Sequence, residues 1–227
     1  IRRKMNSLYG SLQLNWDGYL FLDITARNDW SSTMSKANRS YFYPSVSLSG
    51  VISDMVPKLG GQMPEWFTFA KVRASYAEVG NDLDPYQLYN NFTVGKDENG
   101  NTTAAPGNVL YDSNVRSELI KSWEAGFDIR FFNNRLGLDA AWYKTNATRQ
   151  LLNLPMDPFS GYSSRKVNAG NIQNEGVEIS LNGLILDNPK GLSWNSTAQF
   201  SLNRNKIIDL YPGVTLYDIK TLDAIQI

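Results

Sequence analysis

Hydrophobic and polar residues alternate along most of the chain with a period of two, the pattern of a β-strand whose two faces meet different surroundings. In the segment 122–132, Trp123 and Phe127 fall on one face of the predicted strand, and Asp128 and Arg130 fall on the other. The alternation predicts eight strands, over residues 6–16, 19–27, 41–52, 69–79, 122–132, 136–146, 176–186 and 193–205. Neighbouring strands are expected to pair antiparallel, so the predicted fold class is all-β.

The connections between these strands alternate between short and long. Asp17-Gly18, Asn133-Asn134 and residues 188–191 are tight turns, and residues 53–65 form a compact connection. Long polar loops cover residues 28–40, 80–121 and 149–175. Outer-membrane barrels sort their connections in this way, whereas a soluble sandwich does so only by chance. The sequence therefore predicts a partial antiparallel transmembrane β-barrel, a curved sheet of about eight strands with long loops on one side and short turns on the other.

Aromatic residues lie near both ends of the predicted strands. Those near the tight turns are Trp16, Tyr19, Trp66, Phe67, Phe131, Phe132 and Trp194. Those near the long loops are Tyr41, Phe42, Tyr43, Tyr76, Trp123, Trp142 and Tyr143. Aromatic residues are common near strand ends in general, but their presence at both ends favours the two girdles that form at the two bilayer interfaces.

The alternation also predicts which residues share a face of the sheet. The convex, apolar face should contain Leu12, Leu22, Leu48, Val72, Phe127, Leu138, Ile179 and Phe200. The concave, polar face should contain Gln13, Asp23, Ser47, Arg73, Asp128, Asp139, Glu178 and Gln199. The first and last strands, around Leu12 and Leu202, should be free edges or should pair with another segment, rather than close a small barrel with each other.

The composition removes several classes of function. The chain has no cysteine and no histidine, which excludes disulfides, thiolate metal sites and the commonest general base. Its net charge is zero, so nothing indicates a nucleic-acid partner. Glu175 and Glu178 lie three residues apart on a predicted strand and point to opposite faces, so they do not form a paired-carboxylate site. The sequence predicts no catalytic residue, no cofactor and no metal site, and hence no enzyme.

Two groups of loop residues remain as candidates for binding. Carboxylates that could hold calcium are Asp82, Asp84, Asp97, Glu98 and Asp112, but EF-hand spacing is absent and solvated loop carboxylates are far commoner. Aromatic residues that could contact a substrate or a partner are Trp30, Tyr86, Tyr89, Tyr111, Phe159 and Tyr162, together with Phe92. Exposed rings stack on sugars or contact proteins, but they also pack loops onto one another, and the sequence leaves both roles open.

Several segments resemble the SusC/RagA-type TonB-dependent outer-membrane receptors of Bacteroidetes. The segments are 26–32 (ARNDWSS), 43–47 (YPSVS), 72–81 (VRASYAEVGN), 123–128 (WEAGFD), 132–136 (FNNRL), 143–146 (YKTN), 168–178 (NAGNIQNEGVE) and 203–207 (NRNKI). In this order they cover nearly the whole chain. Two positions depart from the family pattern: Ala77 stands where glycine is frequent, and Trp30 stands where glycine is common.

The resemblance implies a bacterial outer-membrane barrel of about 22 strands with a plugged lumen. Residues 1–227 would then be part of a single barrel domain, with the plug domain and the TonB-box segment lying elsewhere. The implied function is nutrient import of glycans or peptides, energised through the TonB complex and assisted by a SusD-like surface lipoprotein, with outer-membrane lipid around the barrel. The alternative is a soluble β-sandwich that serves as a carbohydrate-binding or surface interaction module, in which a second sheet covers the apolar face.

Overall fold

The structure, a computed structural model, describes residues 2–211 and is dominated by β-strands. The strands are β1 (Met5–Trp16), β2 (Leu20–Ser31), β3 (Ser40–Val51), β4 (Phe67–Asn81), β5 (Phe92–Lys96), β6 (Thr102–Pro106), β7 (Val109–Leu110), β8 (Glu118–Phe131), β9 (Leu136–Pro155), β10 (Ser164–Leu186) and β11 (Trp194–Asp209). A short helix, α1 (Ile52–Lys58), follows β3, and a single 3₁₀ turn (Pro158–Ser160) lies between β9 and β10. Within residues 2–211, no helix is both long and apolar enough to cross a membrane.

Eight long strands form one open antiparallel sheet in the order β1-β2-β3-β4-β8-β9-β10-β11. Strand β7 adds a two-residue parallel pairing with β10, and β5 and β6 form a separate hairpin. Within the described residues, β1 pairs only with β2, and β11 pairs only with β10. The predicted eight-stranded antiparallel sheet with two free edges is confirmed, and the strands do not close a small barrel among themselves.

The strand register separates the residues of the sheet into one apolar face and one polar face. Residues directly opposite each other in an antiparallel pair lie on the same face. One row of direct partners across the sheet is Gly50, Val72, Phe127, Ala140, Ile179 and Phe200. The row beside it is Leu48, Ala74, Ala125, Trp142, Val177 and Leu202. The apolar face is therefore continuous over six strands, and the predicted division of residues between the two faces is confirmed.

The apolar face is not covered by protein. Val72 keeps 46% and Phe200 keeps 58% of its surface exposed, although both lie in the middle of the sheet's length. In the part of the chain that the structure describes, no second sheet packs on this face, so the sandwich alternative is wrong. An open depression of about 720 Å³ lies on the other face and is lined from β4 and β8 to β11, which identifies the polar face as the concave one.

Strands β9 and β10 are much longer than the sequence predicts. Residues 149–175, predicted as a loop, mostly continue the two strands, which pair as far as Pro155 and Ser164. Arg149 and Gly170 both have positive φ angles, of 57° and 78°, and are left out of the ladder between the two strands. Beyond this irregularity each face of the hairpin carries both apolar and polar residues. The period-two pattern that indicates a strand is therefore lost. The loop prediction for 149–175 is therefore wrong.

The connections at the other end are short, as predicted. Asp17 and Gly18 both have positive φ, and with Tyr19 they form the three-residue loop between the paired residues Trp16 and Leu20. The compact connection after β3 contains the helix α1, which the sequence did not indicate. Its last residue, Lys58, forms an ion pair with Asp17 at 3.0 Å, which links two neighbouring turns.

Candidate functional site

The two clusters of buried hydrophobic residues in the described part of the chain lie at the long-loop end of the sheet. Met34, Leu83, Leu88 and Val115 pack together, with Leu151 of β9 against them; we call these five residues the loop cluster. Its members come from the β2–β3 loop, the β4–β8 connection and the top of β9. A second small core contains Leu154, Val167 and Ala169 of the β9–β10 hairpin. The long loops therefore form one packed body at one end of the sheet.

Asparagine side chains join the loop backbones to each other. The Asn168 amide donates to the carbonyl oxygens of Arg116 (2.8 Å) and Arg149 (2.9 Å), and its own oxygen accepts from the Arg116 N–H (2.6 Å). The Asn38 amide donates to the carbonyl oxygen of Asn114 at 2.9 Å. These bonds provide partners for backbone groups in irregular segments, as buried and half-buried polar groups require.

A buried carboxylate connects the loops to the first strand. Asp82, at the end of β4, accepts from the hydroxyls of Ser31 and Thr33 (2.8 Å for Thr33) and from the guanidinium of Arg3 at 2.5 Å. Ser31 and Thr33 are themselves buried. A charge that is removed from water needs such partners, because an unpaired buried carboxylate is costly. Asp82 therefore fixes the β2–β3 loop against the start of β1 and the end of β4.

The structure divides the six predicted contact residues into three groups. Tyr86 and Tyr89 in the β4–β5 loop are 66% and 65% exposed, and Phe159 in the 3₁₀ turn is fully exposed. Tyr111 and Tyr162 are half-buried. Trp30, which the sequence placed in a loop, lies in strand β2 on the apolar face, opposite Asn6 and Ser40. The six residues do not form one cluster.

Local geometry explains how some of these rings are held. Tyr111 is fixed through its backbone, whose N–H donates to Asn90 Oδ1 (2.7 Å) and whose carbonyl accepts from Asn90 Nδ2 (3.2 Å). The Asn108 carbonyl accepts from the backbone N–H of Ser163 at 2.9 Å, so the segments that carry Tyr111 and Tyr162 run side by side. Tyr86 has a φ angle of 67°, which turns the loop sharply at this exposed ring.

Three of the five candidate calcium ligands, Asp82, Asp97 and Asp112, accept hydrogen bonds from protein donors. Asp97 accepts from the backbone N–H groups of Asn99 (2.9 Å) and Asn101 (2.8 Å), and from the Asn101 side chain, and these bonds lower its pKa. Asp112 accepts from the Asn114 N–H (2.8 Å) and from Arg165 (3.1 Å), which together lower its pKa against the opposing effect of burial. Over residues 2–211, no three acidic side chains converge as they would around a metal ion.

The polar face of the sheet carries an ion-pair network that the sequence did not single out. Arg73 of β4 makes two hydrogen bonds to Asp139 of β9, at 3.0 and 3.2 Å, and lies 3.6 Å from Glu124 of β8. The guanidinium crosses β8 over Gly126, where a Cβ atom would lie only 3.0 Å from Arg73 Cζ. The absence of a side chain at this position allows the cross-strand bridge, and the network lines the depression on the concave face.

Aromatic residues on the apolar face lie at both ends of the strands. Near the long loops, the Tyr76 and Trp123 rings are 4.4 Å apart. Near the tight turns, the Trp66 and Phe131 rings stack at 5.8 Å. Three predicted girdle residues, Tyr41, Tyr43 and Tyr143, belong instead to the polar face, because Tyr143 is the direct partner of Glu124 and the other two alternate with residues of the apolar face. The girdle prediction is wrong for those three residues.

Comparison with known proteins gives matches along nearly the whole chain. The TonB-dependent receptor P3 of Formosa agariphila is 30% identical in an alignment of 220 positions, which covers 93% of this chain and 21% of that protein. The TonB-dependent receptor SusC of Bacteroides thetaiotaomicron is 26% identical in an alignment of 231 positions, which covers 93% of this chain and 22% of that protein. The chain thus spans about a fifth of the length of the curated relatives it matches.

A solved structure agrees with these sequence matches. The RagAB peptide importer in its "closed-closed" state superimposes with a TM-score of 0.83 at 25% identity, covering 95% of this chain and 23% of that chain. The SusC/RagA-type resemblance is confirmed. The family model described as "TonB dependent receptor-like, beta-barrel" matches residues 1–224, so this chain belongs to the TonB-dependent receptor β-barrel family of the bacterial outer membrane.

Proposed function

We propose that residues 1–227 are part of the single barrel domain of an outer-membrane TonB-dependent nutrient importer, supplying a section of wall and several extracellular loops. The observation that carries the proposal is the open sheet with an uncovered apolar face, a polar concave face and its packed core among the loops. In a barrel the apolar face contacts lipid and the polar face lines the lumen. The strands require further strands at β1 and β11, because lipid cannot satisfy free backbone groups at a sheet edge.

The cargo is a glycan or a peptide, and the partners are a SusD-like surface lipoprotein and the TonB complex. The support is the likeness to SusC and to a structure described as a peptide importer. To test the import function, the gene for the full-length receptor is deleted, and growth is measured on single glycans and on oligopeptides as the limiting nutrient. We expect growth on one class to be lost and to be restored by the intact gene. Unchanged growth and uptake on both classes would contradict the proposal.

Three loop residues are the proposed contacts with cargo or lipoprotein: Tyr86, Tyr89 and Phe159. They support this role because their rings are largely exposed to solvent. Tyr89→Ala combined with Phe159→Ala should weaken cargo or lipoprotein binding about tenfold, since a stacked ring contributes roughly 0.5–1.5 kcal/mol. Binding to the purified full-length receptor is the measurement, and Trp66→Ala, an exposed ring at the tight-turn end, is the control. Equal affinity in all variants would exclude these rings as contacts.

A further inference from the structure

At the long-loop end of β8 to β11, the apolar face gives way to charged residues. Beside the row that ends in Leu202, the next row of direct partners is Tyr76, Trp123, Lys144, Glu175 and Arg204. The row beyond it is Glu78, Lys121, Asn146, Gln173 and Lys206. Four cations, Lys121, Lys144, Arg204 and Lys206, therefore lie on the lipid-facing side at the level of the aromatic girdle; we call them the basic strip.

Two carboxylates, Glu78 and Glu175, share these rows with the four cations, which leaves two positive charges in excess. Lys121 is 3.5 Å from Glu78, and Glu175 accepts a hydrogen bond from Gln173 at 3.0 Å. None of the ion pairs formed within residues 2–211 involves Lys144, Arg204 or Lys206. Cations at the edge of a hydrocarbon layer extend toward the interface and attract anionic groups there.

The opposite end of the same face has no such feature. There the row of direct partners is Phe131, Leu136, Gly183 and Ser196, without a charged residue. The asymmetry distinguishes the outer leaflet from the inner one.

We infer that the basic strip binds the phosphate groups of the glycolipid in the outer leaflet. Lys144 and Arg204 both face Glu175, and their strands are separated only by β10, a spacing of roughly 10 Å that two long side chains can bridge to reach one phosphate. The strip is continuous with the apolar band below Trp123 and Trp142. An occupant that contacts both surfaces must be amphiphilic, with an anionic head above an apolar tail, which selects a lipid rather than a free ion.

The test uses the full-length receptor in a neutral detergent and fluorescent lipid A as the probe, either with its phosphates or after their enzymatic removal. The double variant Lys144→Gln with Arg204→Gln should bind phosphorylated lipid A about 30-fold more weakly, the factor that corresponds to about 1 kcal/mol for each cation near an anionic lipid. Removal of the phosphates should produce a similar loss in the unaltered receptor. Inorganic phosphate at matched ionic strength should compete poorly.

A matched control removes two cations from other surfaces, with Lys71→Gln on the polar face and Lys190→Gln in a tight turn. This control should bind lipid A as the unaltered receptor does. The exchange variant Lys144→Arg with Arg204→Lys keeps the charge and should also retain binding, which separates loss of charge from misfolding. An equal loss in the control, no loss in the glutamine variant, or equal binding of lipid A without phosphates would each overturn the inference.

Discussion

The sheet and the loop body of this chain place their hydrophobic residues in opposite ways. On the sheet, large hydrophobic residues such as Phe200 and Val72 face outward, and charged residues such as Arg73 face the concave side. In the loop body, Leu83 and Val115 are buried within the protein and the polar residues lie around them. Between β4 and the loop that follows it, the chain thus changes from hydrophobic residues that face outward to hydrophobic residues that are buried.

The difference shows which solvent each region is folded against. An apolar side chain that faces lipid is stabilised about as much as one that is buried in a protein core. The sheet therefore needs only that its backbone hydrogen bonds are satisfied. In water, the loops must bury apolar area to remain ordered. The stability of the two regions should therefore respond to different substitutions, and this can be tested.

The largest expected effect comes from placing charge in the apolar band. Val72→Arg, in the middle apolar row, should lower the free energy of unfolding of the full-length receptor in lipid vesicles by about 4 kcal/mol, the upper part of the range for arginine at the bilayer midplane. Ser47→Arg, on the polar face opposite Asp23, should change it little. Urea titration followed by tryptophan fluorescence measures both variants. Similar destabilisation by the two variants would remove the distinction between the faces.

The next effect should be confined to the loops. Leu83, 2% exposed, is the most buried member of the loop cluster. Leu83→Ala should reduce local loop stability by about 3 kcal/mol, within the range for a leucine removed from a packed core. Hydrogen exchange should become faster over residues 82–117 and beside Met34 and Leu151, which complete the cluster, and should remain unchanged in β11. Leu192→Ala, at an exposed leucine, is the control, and faster exchange throughout the sheet would show that the two regions are not independent.

The same contrast explains what the sequence could predict. The faces of β4 and β8 followed from alternation because lipid on one side and water on the other force the period of two. The upper parts of β9 and β10, beyond Arg149, carry no clear period because apolar residues on both of their faces pack against protein, as Leu154 and Leu151 do. Tyr143 was misplaced because an aromatic residue near a strand end fits either face.

The packing of the loop body cannot be predicted from the sequence, for a related reason. Met34, Leu83, Leu88 and Val115 are isolated apolar residues spread over two connections, and nothing in their spacing brings them together. The Arg73–Asp139 bridge likewise depends on Gly126 between the two strands, which the register reveals and the sequence does not. The local pattern of hydrophobic and polar residues indicates strands. Contacts between distant segments depend on how those strands and loops are placed relative to one another.

A smaller effect should come from the buried carboxylate that joins the two regions. Asp82→Ala leaves the hydroxyls of Ser31 and Thr33 and the guanidinium of Arg3 without their shared acceptor. We expect a loss of about 2 kcal/mol in the stability of the β2–β3 loop, since the cost of an unsatisfied buried group is roughly 1–3 kcal/mol. Protease cleavage within residues 32–39 measures the loss. Asp84→Ala, at an exposed aspartate, should leave cleavage unchanged.

The smallest effect is the acid sensitivity of the loop body. Hydrogen bonds from Asn114 and Arg165 lower the pKa of Asp112 in the folded loop, so its ionised form stabilises the loop at every pH above the unfolded value of about 3.9. This contribution is lost as the pH falls from there through the lowered pKa of the folded state. Hydrogen exchange around residues 108–116, corrected for intrinsic rates, should therefore show constant protection from neutral pH to about 4.5 and a decline only below about 4. Asp112→Asn should lower protection at neutral pH and reduce the acid-dependent decline, while the pairing of β1 to β4 should show no change. A decline that begins near neutral pH, or an identical acid profile in the variant, would show that Asp112 does not set this dependence.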